Sequence, residues 1–376
     1  MFKRLAIIVF LTFIHIMLLA QPRQKILFDF DWLFKMGDPP DIDQSFNYPE
    51  VNDLKKTRPE QVDLEKKLAL IRIDPVKQHL GERTSYVQPA FIGQHWKGIN
   101  LPHDWAVELP FDPHGNVSKG MKAIDSLKRT AIGWYRKQFK MPATDKGKVI
   151  SLEFEGIYRN ALFWINGHCL GRNVSGYMGC FLDISRYLNY GGINTVVVRV
   201  DASHDEGWWY EGAGIYRHVW LIKTHKVHVA NWGTFVHSSI DKAKATLTIE
   251  TEIRNDGNSV QNITLTSNLI DKTGHLVATV SRAGILIGAG SSTNVKQQLN
   301  VVNPHLWNVD RPDLYQVRSV VKQDKTITDT YVTMHGFRSI RFDSDSGFYL
   351  NGKRTFLKGV CIHQDHAGVL YVVKLK

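Results

Sequence analysis

Apolar side chains recur at every second position in the part of the chain that follows about residue 130. The pattern is clear over 150–154, 196–200 and 247–253. Successive side chains of a β-strand point to opposite faces, so a period of two predicts strands with one buried face. No helical period persists past ten residues except over 60–71. The pattern therefore predicts an all-β protein.

Short polar dipeptides separate several of these predicted strands. They are Asn166-Gly167, Asp256-Gly257 and Asn351-Gly352. These residue types tolerate the positive φ angles of tight turns, so each dipeptide predicts a hairpin. Residues 43–88 form a polar region around the charged candidate helix at 60–71, and we expect an insertion or long surface excursion there.

Changes in composition predict three regions after the N-terminus. Residues before about 225 are rich in Trp, Gly and Asn, whereas 233–335 are rich in Thr, Val, Ile and Leu, with predicted strands every 8–12 residues. That spacing over about 100 residues is typical of an immunoglobulin-like β-sandwich. A third change comes at Gly336. The predicted regions are 21–225, 226–335 and 336–376.

The first twenty residues follow the pattern of a secretory signal peptide. A basic start precedes an apolar stretch from Leu5 to Leu19, and Ala20 stands before Gln21. The stretch contains polar residues and is short for a spanning helix, which needs about 20 apolar residues. We expect cleavage after Ala20, no membrane span in the mature chain, and a periplasmic or secreted protein. An uncleaved anchor is the alternative.

Composition and charge exclude several classes of protein. The 376 residues are 43% hydrophobic and 22% charged, fractions that exclude a mainly disordered or collagen-like chain. The net charge of +11 is scattered along the chain, so we expect a solvated surface and no nucleic-acid partner. Three cysteines are too few for a disulfide scaffold. Cys169 and Cys180 are either paired or, as we expect, free buried thiols.

Four groups of aromatic, polar and glycine residues carry the candidate chemistry. A pyranose has apolar C–H faces and a rim of hydroxyls, so its site needs aromatic faces and paired polar groups. No serine-nucleophile elbow and no zinc-ligand spacing is present. The four groups are LPHDW (101–105) with GWYRK (133–137); WING (164–167) with LG (170–171); VRVD (198–201) with GWWYEGAGIYR (207–217); and GFR (336–338) with FYLNGK (348–353) and KGVCIHQDH (358–366).

In this order and spacing the four groups resemble glycoside hydrolase family 2, and within it the β-galactosidase-like members. The resemblance covers about 21–42 and 89–369. It implies an N-terminal jelly-roll sugar-binding domain, an immunoglobulin-like sandwich and a (β/α)8 catalytic barrel. It also implies hydrolysis of β-galactosides with retention of configuration. β-Glucuronidases and β-mannosidases share the architecture, so the sugar stays open.

The resemblance assigns a candidate set of substrate-binding residues. In the family, an Asp at the position of Asp201 reaches from the jelly roll into the active-site pocket. The His at the position of His363 follows the first barrel strand and binds substrate hydroxyls. Asp365 and His366 complete the set, more as supports of His363 than as sugar contacts. The plainer alternatives are a loop cap for Asp201 and a structural ring hydrogen bond for His363.

Other prominent residues are expected to have structural roles. Trp208, Trp209 and Tyr210 suggest a stacking platform, but we expect packing in the core or at a domain interface. Thr130 stands where some members of the family have a sugar-contacting Asn, which argues against a sugar contact there. We expect the LPHDW motif to build the jelly roll rather than to contact substrate.

The catalytic carboxylates of the family have no counterpart in the sequence. A retaining glycosidase needs two carboxylates about 5–5.5 Å apart, and in the family both are Glu residues on later barrel strands, the first in an Asn-Glu pair. No Asn-Glu pair occurs in the 376 residues, and a barrel needs about 250 residues. We therefore expect 336–376 to be a truncated barrel start, through a frameshift after Gly368, and the chain to be inactive alone.

Three functions remain open at this point. The chain is the front part of a β-galactosidase, a non-catalytic carbohydrate-binding module, or a structural β-sandwich protein. The expected partner is a β-galactoside-type oligosaccharide, and a homo-oligomer is an open alternative because family members often assemble. Members often bind Mg²⁺ or Na⁺, but their ligands lie mostly in the barrel, so we assign no metal and no cofactor.

Overall fold

A computed structural model of the chain describes residues 22–42, 46, 74–116, 122–124, 130–203 and 210–360. The predicted signal peptide and the candidate helix at 60–71 lie outside the described residues. The described residues form two compact units. The jelly-roll unit comprises 25–146 and 150–222, and the sandwich unit comprises 22–24, 147–149 and 223–360.

Two antiparallel sheets build the jelly-roll unit. One has the strand order β1-β11-β6-β9 and the other the order β3-β2-β5-β10-β7-β8. Short 3-10 helices occupy Ser85–Val87, Trp105–Glu108, Ala143–Asp145 and Ser185–Tyr187. The strands are β1 (Gln24–Leu27), β2 (Trp32–Met36), β3 (Lys97–Ile99), β4 (Phe111–Asn116), β5 (Ile132–Lys140), β6 (Val149–Phe154), β7 (Ala161–Ile165), β8 (His168–Asn173), β9 (Cys180–Asp183), β10 (Ile193–Asp201) and β11 (Val219–Thr224).

The main core of this unit contains the apolar side chains that the period of two predicted. Val196, Val198 and Val200 of β10 are buried in it, as are Leu152 and Phe154 of β6. The intervening positions of β10 are buried as well. The strand is therefore covered on both faces, and the alternation in sequence reports only one of them.

A second, aromatic layer covers the other face of the six-stranded sheet. Trp134 of β5 and Trp164 of β7 stack there with ring centroids 5.6 Å apart and planes 16° apart. Phe46, Leu80, Val87 and Trp96 pack in the same cluster. The described parts of the polar region 43–88 thus contribute buried side chains to the sheet that they cover.

The sandwich unit consists of two antiparallel sheets with the orders β12-β13-β16 and β15-β14-β17-β18. Its interior is divided into two clusters of buried apolar residues. A separate three-stranded sheet of β19, β20 and β21 follows it. These strands are β12 (Val227–Asp241), β13 (Lys244–Asn255), β14 (Gln261–Ile270), β15 (Leu276–Ile287), β16 (Ser291–Val302), β17 (Tyr315–Gln323), β18 (Thr326–His335), β19 (Ile340–Asp343), β20 (Gly347–Leu350) and β21 (Lys353–Arg354).

Two of the three predicted hairpins are confirmed. Asn166-Gly167 joins β7 to β8 with φ angles of 49° and 88°, and Asn351-Gly352 joins β20 to β21 with φ angles of 52° and 76°. The third prediction was wrong. Asp256-Gly257 has no positive φ and leads from β13 into the opposite sheet. The Asn255 side chain holds this crossing by donating to three backbone carbonyls.

The prediction of an all-β fold is confirmed. The described residues form strands, 3-10 helices, turns and irregular segments, and none of them lies in an α-helix. In that part of the chain no helix has the length and apolar character to cross a membrane.

Candidate functional site

Asp201 is the last residue of β10, where its carboxylate is buried. It lies opposite Ile132 of β5 in the antiparallel register, and its backbone N–H donates to the Arg159 carbonyl at 3.0 Å. Because side chains alternate along a strand, Asp201 and Arg199 point away from the valine core. Asp201 is 2% exposed.

The Asp201 carboxylate has polar partners at both oxygens. Ser203 donates its backbone N–H and its hydroxyl to Oδ1, at 3.1 and 2.5 Å. Oδ2 lies 3.6 Å from Nη1 of Arg199. Oδ1 therefore caps the following loop, as the plainer alternative for Asp201 expects, while Oδ2 faces the buried Arg199 cation.

Arg199 is shared between two carboxylates. Its Nε and Nη2 each donate to Asp38 at 2.8 Å, and Trp134 donates its indole N–H to the same carboxylate at 2.8 Å. Burial alone would lower the pKa of the Arg199 guanidinium, but Asp38 and Asp201 raise it above its ordinary value. The arginine is thus held charged and fixed in place beside Asp201.

Asn160 adds an unusual group beside Asp201. Its neighbour Arg159 accepts the Asp201 backbone N–H, and Asn160 itself is 3% exposed. Neither its side-chain oxygen nor its nitrogen has a hydrogen-bond partner among the described residues. Buried polar groups nearly always have partners, so this amide has donors and an acceptor available for a water or a ligand hydroxyl.

The LPHDW motif builds the jelly roll, as expected. Asp104 Oδ1 accepts the backbone N–H groups of Ala106 and Ala213 at 3.0 and 2.9 Å, and Oδ2 accepts the Tyr210 hydroxyl at 2.6 Å. His103 Nδ1 lies 2.8 Å from the Tyr135 hydroxyl. The motif therefore fastens the segment before β11 to the rest of the unit.

The GWYRK motif is also structural. Gly133 lacks a Cβ that would stand 2.6 Å from the Trp105 ring. Arg136 donates to the carbonyls of Tyr86, Gln88 and Pro89 at 3.0–3.1 Å. Burial lowers the pKa of this guanidinium to about 10. Arg136 therefore holds the covering segment on the sheet.

The remaining sequence candidates divide into structural residues and residues beyond the described part of the chain. Thr130 donates its hydroxyl to Ala123 and accepts the Trp105 indole N–H through its carbonyl. Tyr210 donates to Asp104 instead of forming an open platform. His363, Asp365, His366, Cys361, Trp208 and Trp209 lie outside the described residues.

The described cysteines are free thiols, as expected. Burial raises the pKa of Cys169 to about 11 and that of Cys180 to about 12, so neither is a reactive thiolate at neutral pH. Within the described residues, no group of three or more His, Cys, Asp or Glu side chains has the arrangement of a metal site.

Sequence reasoning identified Asp201 through its motif but not the groups around it. Asp38 is distant in sequence from Arg199, and nothing in its local pattern indicates the pair. Asn160 stands just before β7 with a φ of 46°. The run Tyr-Arg-Asn-Ala before a strand was a visible but weak signal for a special backbone position.

Comparison with known proteins identifies both units. Residues 88–225 match the sequence model described as glycosyl hydrolases family 2, sugar binding domain, and residues 227–338 match that of glycosyl hydrolases family 2. A β-galactosidase of Bacteroides ovatus, BoGH2A, is 39% identical over 76% of this chain and 33% of its own length. A β-glucuronidase of Formosa agariphila is 32% identical over 70% of this chain and 29% of its own length.

Solved structures agree with the sequence comparisons. A family 2 member from Bacteroides cellulosilyticus superimposes with a TM-score of 0.70 at 31% identity, covering 90% of this chain and 38% of that protein. A Bacteroides uniformis β-glucuronidase gives a TM-score of 0.71 at 26% identity, with coverages of 92% and 36%. The chain spans about a third of the length of the curated relatives it matches. It belongs to glycosyl hydrolase family 2, of which it carries the sugar-binding domain and the immunoglobulin-like sandwich.

Proposed function

We propose that the chain is the sugar-binding front part of a retaining β-galactosidase. The observation that carries the proposal is the Asp201 carboxylate, which stands at the end of a rigid strand beside a fixed arginine. Its motif is the one from which family members reach into the active-site pocket. The relative named β-galactosidase, at 39% identity, supports the choice of sugar.

Asp201 and Asn160 are the proposed sugar contacts of this chain. A carboxylate accepts hydroxyl hydrogen bonds, and an amide both donates and accepts, so each of the two side chains suits a sugar hydroxyl. Both residues are at most 3% exposed. A sugar therefore reaches them only when the side chains that cover them move.

The 376-residue chain is proposed to be inactive alone. Double displacement needs an acid/base and a nucleophile about 5–5.5 Å apart, and the sequence has no Asn-Glu pair. Several buried carboxylates of the described residues are already engaged by cations. Glu153 pairs with Lys25, Asp313 with Lys272, and Asp329 with Arg23, each at 2.7–2.8 Å.

Turnover of chromogenic β-galactosides and β-glucuronides by the purified chain tests this part of the proposal. We expect none with either substrate. Turnover that Asp201→Asn abolishes would show that the chain is a complete enzyme.

Binding tests the choice of sugar. Titration calorimetry with a β-galactoside should show heat that Asp201→Asn removes. Preference for a β-glucuronide would favour the second candidate, which the named β-glucuronidase relatives support. Saccharide binding without any preference between the two would favour a general carbohydrate-binding module. The absence of saccharide binding would favour a structural sandwich.

A periplasmic or secreted location is proposed on the pattern of residues 1–20. Expression of the full chain with its leader, followed by N-terminal sequencing of the mature product, tests it. A product that starts at Gln21 supports the proposal, a membrane-bound product that retains Met1 supports the uncleaved anchor, and a product that retains Met1 in the cytoplasm contradicts export.

A further inference from the structure

A second candidate binding site lies at the opposite end of β10 from Asp201. Ile193 begins the strand and Asp201 ends it, so about 26 Å of extended chain separates them. At the Ile193 end, a pocket of about 420 Å³ opens between the β7–β8 turn and the loop that precedes β10. It is a shallow depression that is largely open to solvent, so it can contact one face of a ligand.

Two polar side chains of this pocket lie against the same aromatic ring. The His168 imidazole stacks on Tyr187 with centroids 4.7 Å apart and planes 19° apart. The Arg186 guanidinium lies over the same ring, 4.6 Å from its centroid. Side chains ordered before binding lose less entropy when a ligand arrives. The pocket is therefore preorganised.

The backbone that forms the pocket floor is fixed by two buried or half-buried amides. Asn166 donates to the Tyr187 carbonyl and to Asn194 Oδ1, both at 2.8 Å, and accepts the Thr195 N–H. Asn194 accepts the Asn189 N–H at 2.6 Å and donates to the Asn189 carbonyl. Both walls of the pocket are therefore held in one arrangement.

The lining is amphipathic and carries positive charge. Ile193 is 64% exposed and the His168 side chain 52% exposed, which gives an apolar surface and an open ring. Arg186 is exposed and forms no ion pair with the described residues, and the Asn189 amide likewise has no hydrogen-bond partner among them. No Asp or Glu lines the pocket.

One carboxylate lies near this lining. Glu82 Oε1 stands 3.9 Å from His168 Nδ1 and accepts the Cys169 backbone N–H. It faces His168, so within the described part of the chain Arg186 has the Tyr187 ring beside it but no carboxylate partner.

We propose that this pocket is an ancillary site for an acidic sugar unit of a polysaccharide. The open imidazole and Ile193 would contact the C–H face of the sugar ring. Arg186 would bind the carboxylate in the charge-assisted geometry that guanidinium favours, and Asn189 would hydrogen-bond a hydroxyl. The site would hold a substrate chain far from the Asp201 end, independently of catalysis.

Titration calorimetry of the full chain with a trisaccharide of galacturonic acid tests this site. A neutral galactotriose serves as the ligand control, and both ligands are also titrated into Asp201→Asn, in which the proposed Asp201 site does not contribute. Arg186→Gln removes the charge and His168→Ala removes the open ring. Arg83→Gln is the matched control variant, since Arg83 is an exposed arginine of the same unit that does not line the pocket. Circular dichroism confirms that each variant folds.

We expect the acidic trisaccharide to bind, with affinity at least tenfold weaker in Arg186→Gln and in His168→Ala and unchanged in Arg83→Gln. Asp201→Asn should leave this binding intact, which separates the site from the proposed catalytic pocket. Raised salt should weaken it. The proposal is overturned by absence of binding, by equal binding in Arg186→Gln, by equal affinity for galactotriose, or by equal binding of triglutamate.

Discussion

Replacement of Asp38 by alanine is the sharpest test of the charge network beside Asp201. Asp38 accepts two hydrogen bonds from Arg199 and one from the Trp134 indole, all at 2.8 Å. Without it, Arg199 stays buried at 1% exposure, with Asp201 at 3.6 Å as its remaining carboxylate partner. A buried cation is then left undercompensated.

The expected loss of stability in Asp38→Ala follows from the burial of the ion pair. Removal of one partner of a buried ion pair costs about 3–5 kcal/mol of unfolding free energy. The Asp38 side chain is 18% exposed, so water can take over part of its interaction with Arg199. The low end of that range, about 3 kcal/mol, therefore applies. The matched control is Lys97→Ala, which breaks an exposed pair at 2.7 Å in the same unit and should cost less than about 1 kcal/mol.

Urea unfolding followed by tryptophan fluorescence measures both variants. Eight of the ten tryptophans precede residue 223, so the signal reports mainly on the jelly-roll unit. With an m-value of about 2–3 kcal/mol/M, Asp38→Ala should lower the urea midpoint by about 1–1.5 M. A loss no larger than that of Lys97→Ala would refute the reasoning, because Arg199 would then not depend on Asp38.

Three further changes test other parts of the fold. Gly133→Ala places a methyl 2.6 Å from the Trp105 ring and should cost about 1–3 kcal/mol, seen as a lower Tm; an unchanged Tm contradicts the packing. Arg23→Ala removes the arginine partner of the fully buried Asp329 carboxylate and should cost the sandwich unit about 3 kcal/mol by hydrogen exchange, the low end because two backbone N–H groups still donate to the carboxylate; a loss below about 1 kcal/mol argues against it. Burial lowers the pKa of His335 to about 4 in the folded state. As the pH falls from 6.5 to 4, the His335 imidazole therefore binds a proton in the unfolded chain but not in the folded one. Stability should drop by about 1–2 kcal/mol across that window, after allowance for partial exposure, and His335→Gln should flatten the pH dependence of the urea midpoint.

The strands and most turns followed from local sequence because local forces decide them. An Asn-Gly pair adopts positive φ at little cost, and alternating apolar residues bury one face of a strand whatever lies elsewhere. Asp256-Gly257 has the same signal but a different outcome. There the Asn255 amide donates to the carbonyl of residue 259 and to the distant carbonyls of residues 287 and 288. The two distant partners leave no mark on the local pattern.

The covering of the outer face of the six-stranded sheet could not be predicted from local sequence, for a related reason. Arg136 and Arg199 alternate with apolar residues and therefore indicate a solvent-facing side. In the structure both are 1% exposed, because distant segments supply their acceptors. Arg136 meets carbonyls around Gln88, and Arg199 meets Asp38. A charged residue on a strand predicts exposure only where no segment distant in sequence brings it a partner.

Three carboxyl groups among the described residues have shifted pKa values, and the direction of the shift bears on acid–base chemistry. A general acid of a retaining glycosidase needs a carboxyl pKa raised toward neutrality. The resolved shifts of the described carboxyl groups run the other way. Hydrogen bonds from Thr273, Lys272 and Ser346 lower the pKa values of Asp271, Asp313 and Asp343 respectively. These donors hold their carboxylates ionised and engaged. The role proposed for Asp201, which is to bind and position the sugar, needs an ionised carboxylate and no raised pKa.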